Sequence, residues 1–249
     1  MRRAVDLGIT RLLDIYGRLS DRYGPRHWWP ADGPFEVIVG AILTQQTTWA
    51  NVEKALANLK AAGALSPAAM RALTEDELAT LIRPSGFYRS KARKLHAFLT
   101  LLFDRFAGDL ARLLATSGAN LRSLLLATHG IGPETADAIL VYAAHQPYFV
   151  IDAYTRRTFS RIGLRPPHDT YDAWQAFFHD SLPADPPLFN EYHALIVEHG
   201  QGVCRSEPLC GDCPLSEICE TGLTRLSQCH TARDSGWAVR RLTGHTPAE

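Results

Sequence analysis

Several things are missing or scarce in this chain of 249 residues, and each absence narrows what the protein can be. No stretch approaches the roughly 18 uninterrupted apolar residues that a membrane span requires. The opening segment, MRRAVDLGITRLLDIYGRLS, has no apolar core of the kind that directs secretion, and Asp6 and Asp14 argue against an organelle transit peptide. Net charge is absent as well: 26 basic residues meet 26 acidic ones. That excludes a polybasic binder, although a local basic face can exist inside a neutral total. Cysteine is sparse, with five in the chain, and four of them crowd into one short stretch, so no disulfide scaffold is expected. These exclusions imply a soluble, cytoplasmic protein. Its 46% apolar content supplies a core for one large domain or two modest ones.

Strand patterns are scarce too. Only PYFVI (147–151) reads as strand-like, and one short run cannot make a sheet. What is present has helical period. Val5, Ile9, Leu12, Leu13 and Tyr16 share a face, as do Val37, Ile38, Ala41 and Ile42. NVEKALANLKAAG is helical and stops at Gly63, and SKARKLHAFLTLLFDRF, AYTRRTFSRIGL, TYDAWQAFFHDSL and NEYHALIVEHG follow the same period. The fold class is all-α. Breaks fall at 24–25, 83–86, 165–167 and 183–187, short enough for helix–helix connections. Two helical lobes are expected. Residues 34–145 form a central bundle, residues 1–33 with 146–222 form the other lobe, and 223–249 form a polar, flexible tail.

Within the bundle, LRSLLLATHG and GPETADAILVYAAH are two helices joined by the turn HGIG. Gly130 and Gly132 let the backbone turn sharply, and the helix opening at Pro133 brings its positive dipole end to the same place. An anion is favoured there, although glycine also serves any plain helical hairpin. Glu134 suits the first turn of a helix on electrostatic grounds alone. Asp152, in FVIDAYTRR, is well placed to cap the helix that follows it. Cys204, Cys210, Cys213 and Cys219 are spaced C-x5-C-x2-C-x5-C. In a chain of this class such a cluster points to metal, and spacing alone leaves both an iron–sulfur cluster and zinc open. Cys229 stands apart and reads as a spare thiol.

These three motifs, in this order, resemble the helix-hairpin-helix DNA glycosylase superfamily that includes endonuclease III. THGIGPETADAIL is similar to its hairpin. FVIDAYTRR is similar to the segment carrying its aspartate, with Ile151 where the family has valine. HGQGVCRSEPLCGDCPLSEIC is similar to its 4Fe–4S loop, with five residues in the first gap where six are common. The resemblance runs from about residue 34 to 219 and implies a 4Fe–4S cofactor on Cys204, Cys210, Cys213 and Cys219, with zinc the second choice. It also implies that Asp152 is catalytic, because a carboxylate beside the sugar stabilises the oxocarbenium-like charge of glycosidic cleavage. Glu134 is the second candidate catalytic position: endonuclease III has there a lysine whose amine forms a Schiff base and nicks the strand. Glutamate has no amine, so a monofunctional glycosylase without lyase activity is expected.

The resemblance further implies that LTQQTTW and RPSGFYRSKARKL are the loops that wedge into the minor groove as the base flips out. Gln46 would fill the gap and Phe87 would stand at the second tip. Arg89, Lys91, Arg93 and Lys94 would meet phosphates, and Gly130 and Gly132 would meet the DNA backbone. Among the branches of the superfamily, the methyladenine glycosylases of type III are most similar, and they imply an aromatic base pocket of Trp28 or Trp29 with Trp49. Electron-poor alkylated purines stack well between indoles. The expected partner is double-stranded DNA carrying a damaged base, with the protein acting as a monomer. Two alternatives stand beside this: a glycosylase for oxidised pyrimidines or mismatched uracil and thymine, and a lesion-binding protein without catalysis.

Overall fold

A computed structural model describes residues 2–228 of the chain; Cys229, read as a spare thiol, and the rest of the polar tail lie outside the described residues. Among the described residues there is no strand. The helices are α1 (Arg2–Tyr23), α2 (Pro34–Leu43), α3 (Trp49–Ala61), α4 (Pro67–Ala72), α5 (Glu75–Leu81), α6 (Tyr88–Phe106), α7 (Leu110–Leu114), α8 (Gly118–Leu126), α9 (Pro133–Ala138), α10 (Ala153–Ile162), α11 (Tyr171–His179) and α12 (Pro186–Gly202). Short 3-10 turns occupy Arg83–Ser85 and Cys210–Asp212, and α9 widens into a π-helical turn at Ile139–Ala143. PYFVI is irregular backbone, with Phe149, Val150 and Ile151 buried. Helix continues through 220–228, past the point where the sequence expects order to end.

The chain divides into two compact units. One comprises residues 27–151 with 183–191. Its centre is α2, apolar all round apart from Glu36 in its first turn, as a helix enclosed by others tends to be. All of Phe35 to Leu43 is buried. Helix α2 packs on α3, α6, α9 and the π-turn, and α6 contributes Leu95, Phe98, Leu99 and Leu102 to the same core. Residues 27–33, which the sequence reading groups with the N-terminal helix, belong here. The reason is the indole of Trp29, which lies so close to α2 that a Cβ on Gly40 would come within 2.9 Å of it.

The other unit comprises, among the described residues, 2–26, 152–182 and 192–228. Leu12, Ile15 and Leu19 of α1 are fully buried, and Tyr192 faces Tyr16, Phe159 and Phe178 edge-on. The Tyr192 hydroxyl donates to the carbonyl of Leu12 at 2.8 Å, so this buried phenol is paired. The four clustered cysteines and helix 220–228 complete the unit.

Candidate active site

Asp152 ends the irregular segment and caps α10. Its extended backbone lets Oδ1 accept the Thr155 N–H at 2.7 Å, the N-cap bond that its sequence position suggests. Oδ2 lies 3.6 Å from Nε2 of His193 on α12. Burial alone would push this carboxyl up, since only 9% of the residue is exposed. The His193 imidazole and the Thr155 N–H outweigh that penalty and hold Asp152 below its ordinary value. A buried carboxylate that remains ionised is the chemical signature of this position. Sequence reading finds Asp152 and misses His193, whose only local signal is a polar residue inside the buried run Tyr192–Ile196.

In the other unit the hairpin is tied down at three points. Arg122 of α8 forms a two-pronged pair with the buried Asp137 of α9, at 2.7 and 3.2 Å, fixing the two helices to each other. Ile131, between the two glycines, is buried. Gln45 donates through Nε2 to the Gly130 carbonyl at 3.1 Å and to Thr135 Oγ1 at 2.9 Å, while Lys94 Nζ donates to Gln45 Oε1. The stem of Lys94 runs directly beneath Gly130. A Cβ there would sit 2.3 Å from Lys94 Cγ, and φ is +79°, so glycine is required on both counts. Gly132 caps α9 with no such contact, and Glu134 is exposed in the first turn of that helix.

The two candidate wedge loops each carry a left-handed residue at the tip: Gln46 with φ 55° and Phe87 with φ 45°. Both side chains are exposed, Phe87 to 65%. Arg89 and Arg93 are exposed as well. Lys91 is a correction. The sequence groups it with these arginines as a phosphate contact, but only 1% of it is exposed. Its Nζ donates to the Leu43 carbonyl at 2.8 Å and to the Ser85 carbonyl at 2.6 Å. The backbone just before each tip is therefore stapled to one ammonium group. Burial, then the nearby Lys94, pushes Lys91 down to about 8. Lys94 is likewise half-buried by its work under the hairpin.

Trp28, Trp29 and Trp49 come together, with ring centroids 5.0–5.6 Å apart and no two rings parallel. Tyr142 closes against Trp29 at 5.3 Å. Two faces that sandwich a base stand about 7 Å apart, twice the usual stacking distance. The indoles thus form one contiguous aromatic patch whose rings touch one another.

All four cysteines are free of disulfides and line one small pocket with Arg161, Val203 and Leu209. Among the described residues no three His, Cys, Asp or Glu side chains are arranged to hold a single metal ion. Burial pushes the Cys213 thiol up to about 11, and the neighbouring cysteines add to the effect, so shared ionisation calls for cationic company. The surroundings suit sulfur ligands. Gly222 N–H approaches Cys219 Sγ at 3.4 Å, and the Arg161 guanidinium lies 3.5 Å from Cys204 Sγ. His199 Nε2 is 3.8 Å from Cys213 Sγ while its Nδ1 pairs with the Tyr23 hydroxyl at 2.8 Å. Burial pushes His199 down to about 4, which keeps it neutral at pH 7. Arg157 and Arg161 hold the carbonyls of Gly200, Cys204, Arg205 and Ser206 at 2.6–3.3 Å. The helix that Asp152 caps is therefore also the helix that grips the cysteine loop.

Residues 39–184 match the HhH-GPD superfamily of base excision DNA repair proteins. The chain belongs to that superfamily. It is 44% identical over 207 residues to a Methanocaldococcus jannaschii protein assigned by name to the DNA repair glycosylases, a match spanning 82% of this chain and 94% of that one. It is 32% identical to endonuclease III of Treponema pallidum, over 79% and 86% of the two chains. Among solved structures, the 3-methyladenine DNA glycosylase of H. pylori bound to 1,N6-ethenoadenine superposes with a TM-score of 0.64 at 28% identity. That match covers 78% of this chain and 95% of the other. Among the described residues no helix is long and apolar enough to cross a membrane.

Proposed function

We propose that this family member is a monofunctional DNA N-glycosylase that hydrolyses the glycosidic bond of an alkylated purine, of 3-methyladenine type, flipped out of duplex DNA. The observation that carries the hydrolytic part is Asp152, buried and yet held ionised by two partners. As the bond to the base breaks, positive charge grows on the deoxyribose. A fixed carboxylate balances that charge and orients the incoming water.

The inventory of amines supports hydrolysis without strand cleavage. The four lysines of the sequence are Lys54, Lys60, Lys91 and Lys94. Lys91 is sealed against two carbonyls, Lys94 is engaged with Gln45 under the hairpin, and Lys60 pairs with Asp32 and Glu36 at 2.8 Å. Lys54 is exposed on α3. Glu134 stands where a Schiff-base amine would be needed.

The aromatic patch supports the substrate class. Three indoles at one surface favour an electron-poor ring, and a methylated purine is both cationic and a good leaving group. One ring must swing aside to sandwich a base; otherwise the base stacks on the outer face of the patch. Gln46 and Phe87 fill the space left in the duplex, with Arg89, Arg93 and the hairpin turn at Gly130 and Gly132 against the phosphates. A second reading, action on oxidised pyrimidines or mismatched uracil and thymine, draws on the similarity to endonuclease III and on the cysteine loop.

Cys204, Cys210, Cys213 and Cys219 would hold a 4Fe–4S cluster. Four thiols around one pocket suit sulfur ligation of such a cluster. Once bound, the cluster supplies a cross-link between loop segments, and glycosidic hydrolysis asks no electron transfer of it. Incubation of the protein with duplexes carrying 3-methyladenine, thymine glycol or a G·T mismatch, each read with and without alkali, tests the proposal. Release of the alkylated base with alkali-dependent nicking is expected. Preferential release of thymine glycol would move the assignment to the second reading, and no release from any duplex would leave a lesion-binding protein.

A further inference from the structure

Asp152 has two oxygens, and its cap bond uses one. Oδ1 is fixed by the Thr155 N–H at 2.7 Å; Oδ2 faces Nε2 of His193 at 3.6 Å, from a different helix. Both residues are buried, at 9% and 8% exposure. The setting of His193 makes the pairing informative. On α12 it lies between buried Tyr192 and the run Ala194–Ile196, a stretch committed to the core. A polar ring costs free energy in such a place unless it answers another polar group.

We propose that His193 is a positioning residue for the glycosylase reaction, its Nε2 facing Asp152 Oδ2 at 3.6 Å, an approach longer than a hydrogen bond, to aim the carboxylate. This rests on reading Asp152 as the hydrolytic carboxylate. The capping bond alone fixes one oxygen and leaves the group free to pivot about it; the imidazole supplies the second point that defines the plane. The groups facing the carboxylate are the His193 ring from α12 and, from α10, the N–H and the side-chain hydroxyl of Thr155. Without the imidazole, burial is opposed only by Thr155, through its N–H and its hydroxyl, and Asp152 takes up a proton at higher pH than before.

The test is single-turnover base release from alkylated duplex between pH 4.5 and 8, with duplex affinity and melting temperature measured on the same proteins. The wild-type rate should be flat from pH 7.5 to pH 5, because the essential carboxylate titrates below its ordinary value of 3.8. His193→Phe should bind duplex within about twofold of wild type, yet lose about tenfold in rate between pH 7.5 and pH 5. The fall follows from the direction in which the carboxyl moves when burial is opposed by Thr155 alone. His193→Gln, which keeps an N–H donor where Nε2 was, should restore the flat profile; His193→Leu replaces the Phe variant if the larger ring prevents cooperative melting. A profile of wild-type shape in both apolar variants overturns the proposal, as does a wild-type rate that already collapses by pH 5. Asp152→Asn is run alongside. If it releases base at the wild-type rate, the reading of Asp152 itself fails, and that outcome is distinct from a silent His193.

Discussion

Two acidic residues open two helices in this protein, and their fates differ. Asp152 caps α10 with both oxygens addressed, buried among core side chains. Glu134 sits in the first turn of α9, exposed, on a hairpin held rigid by Arg122, Gln45 and Lys94. One acid is a buried N-cap, which we read as the hydrolytic carboxylate; the other is an exposed residue of a helix's first turn. What separates them is enclosure: one carboxylate is buried and the other exposed. A helix N-terminus favours negative charge by only a fraction of a kcal/mol at an exposed site, whereas a buried carboxylate is held by every group around it.

The largest expected consequence is at Asp152. Its replacement by Asn should lower single-turnover base release about a hundredfold or more while duplex affinity, read by fluorescence anisotropy, stays close to wild type. A loss that tracks affinity instead would make Asp152 a structural cap and nothing more. Next comes Lys91. Lys91→Met leaves the carbonyls of Leu43 and Ser85 without their donor in a buried site, at a cost of about 2–4 kcal/mol. Thermal melting should fall by roughly 5 °C or more, and base flipping, followed with 2-aminopurine beside the lesion, should weaken because the backbone behind Gln46 and Phe87 is no longer joined. Cys213→Ala should follow in size. Purified wild type should carry about four irons and matching sulfide per chain, and the variant should lose them together with part of its melting temperature. One zinc and no iron in the wild type would reassign the cysteines. The smallest effect is reserved for the other acid: Glu134→Gln should change base release by no more than about twofold.

The motifs were legible because each is local. Glycine on either side of Ile131, an aspartate at a helix start and four closely spaced cysteines all encode their geometry within a few residues, and the helices announce themselves by period. What was not legible depends on residues meeting from afar. Lys91 lies in RSKARK, which reads as a solvated basic face, yet the carbonyls of Leu43 and Ser85 draw its ammonium inside. Gln46 is the wedge residue the resemblance picks out, while its neighbour Gln45 turns inward and joins the hairpin to α6. The tryptophans could be named as a group, but their packing on one another, tilted and edge-on, could not. His193 carries no motif at all; it gains meaning only because α12 brings it to Asp152.

The central claim is that a carboxylate cleaves the glycosidic bond with no amine present to capture the opened sugar. The direct measurement is one incubation with alkylated duplex in the presence of borohydride, with the DNA strand and the protein both analysed. The account predicts free methylated base, a strand that breaks only after alkali, and protein of unchanged mass. A strand nicked without alkali, together with protein covalently joined to DNA, would contradict it.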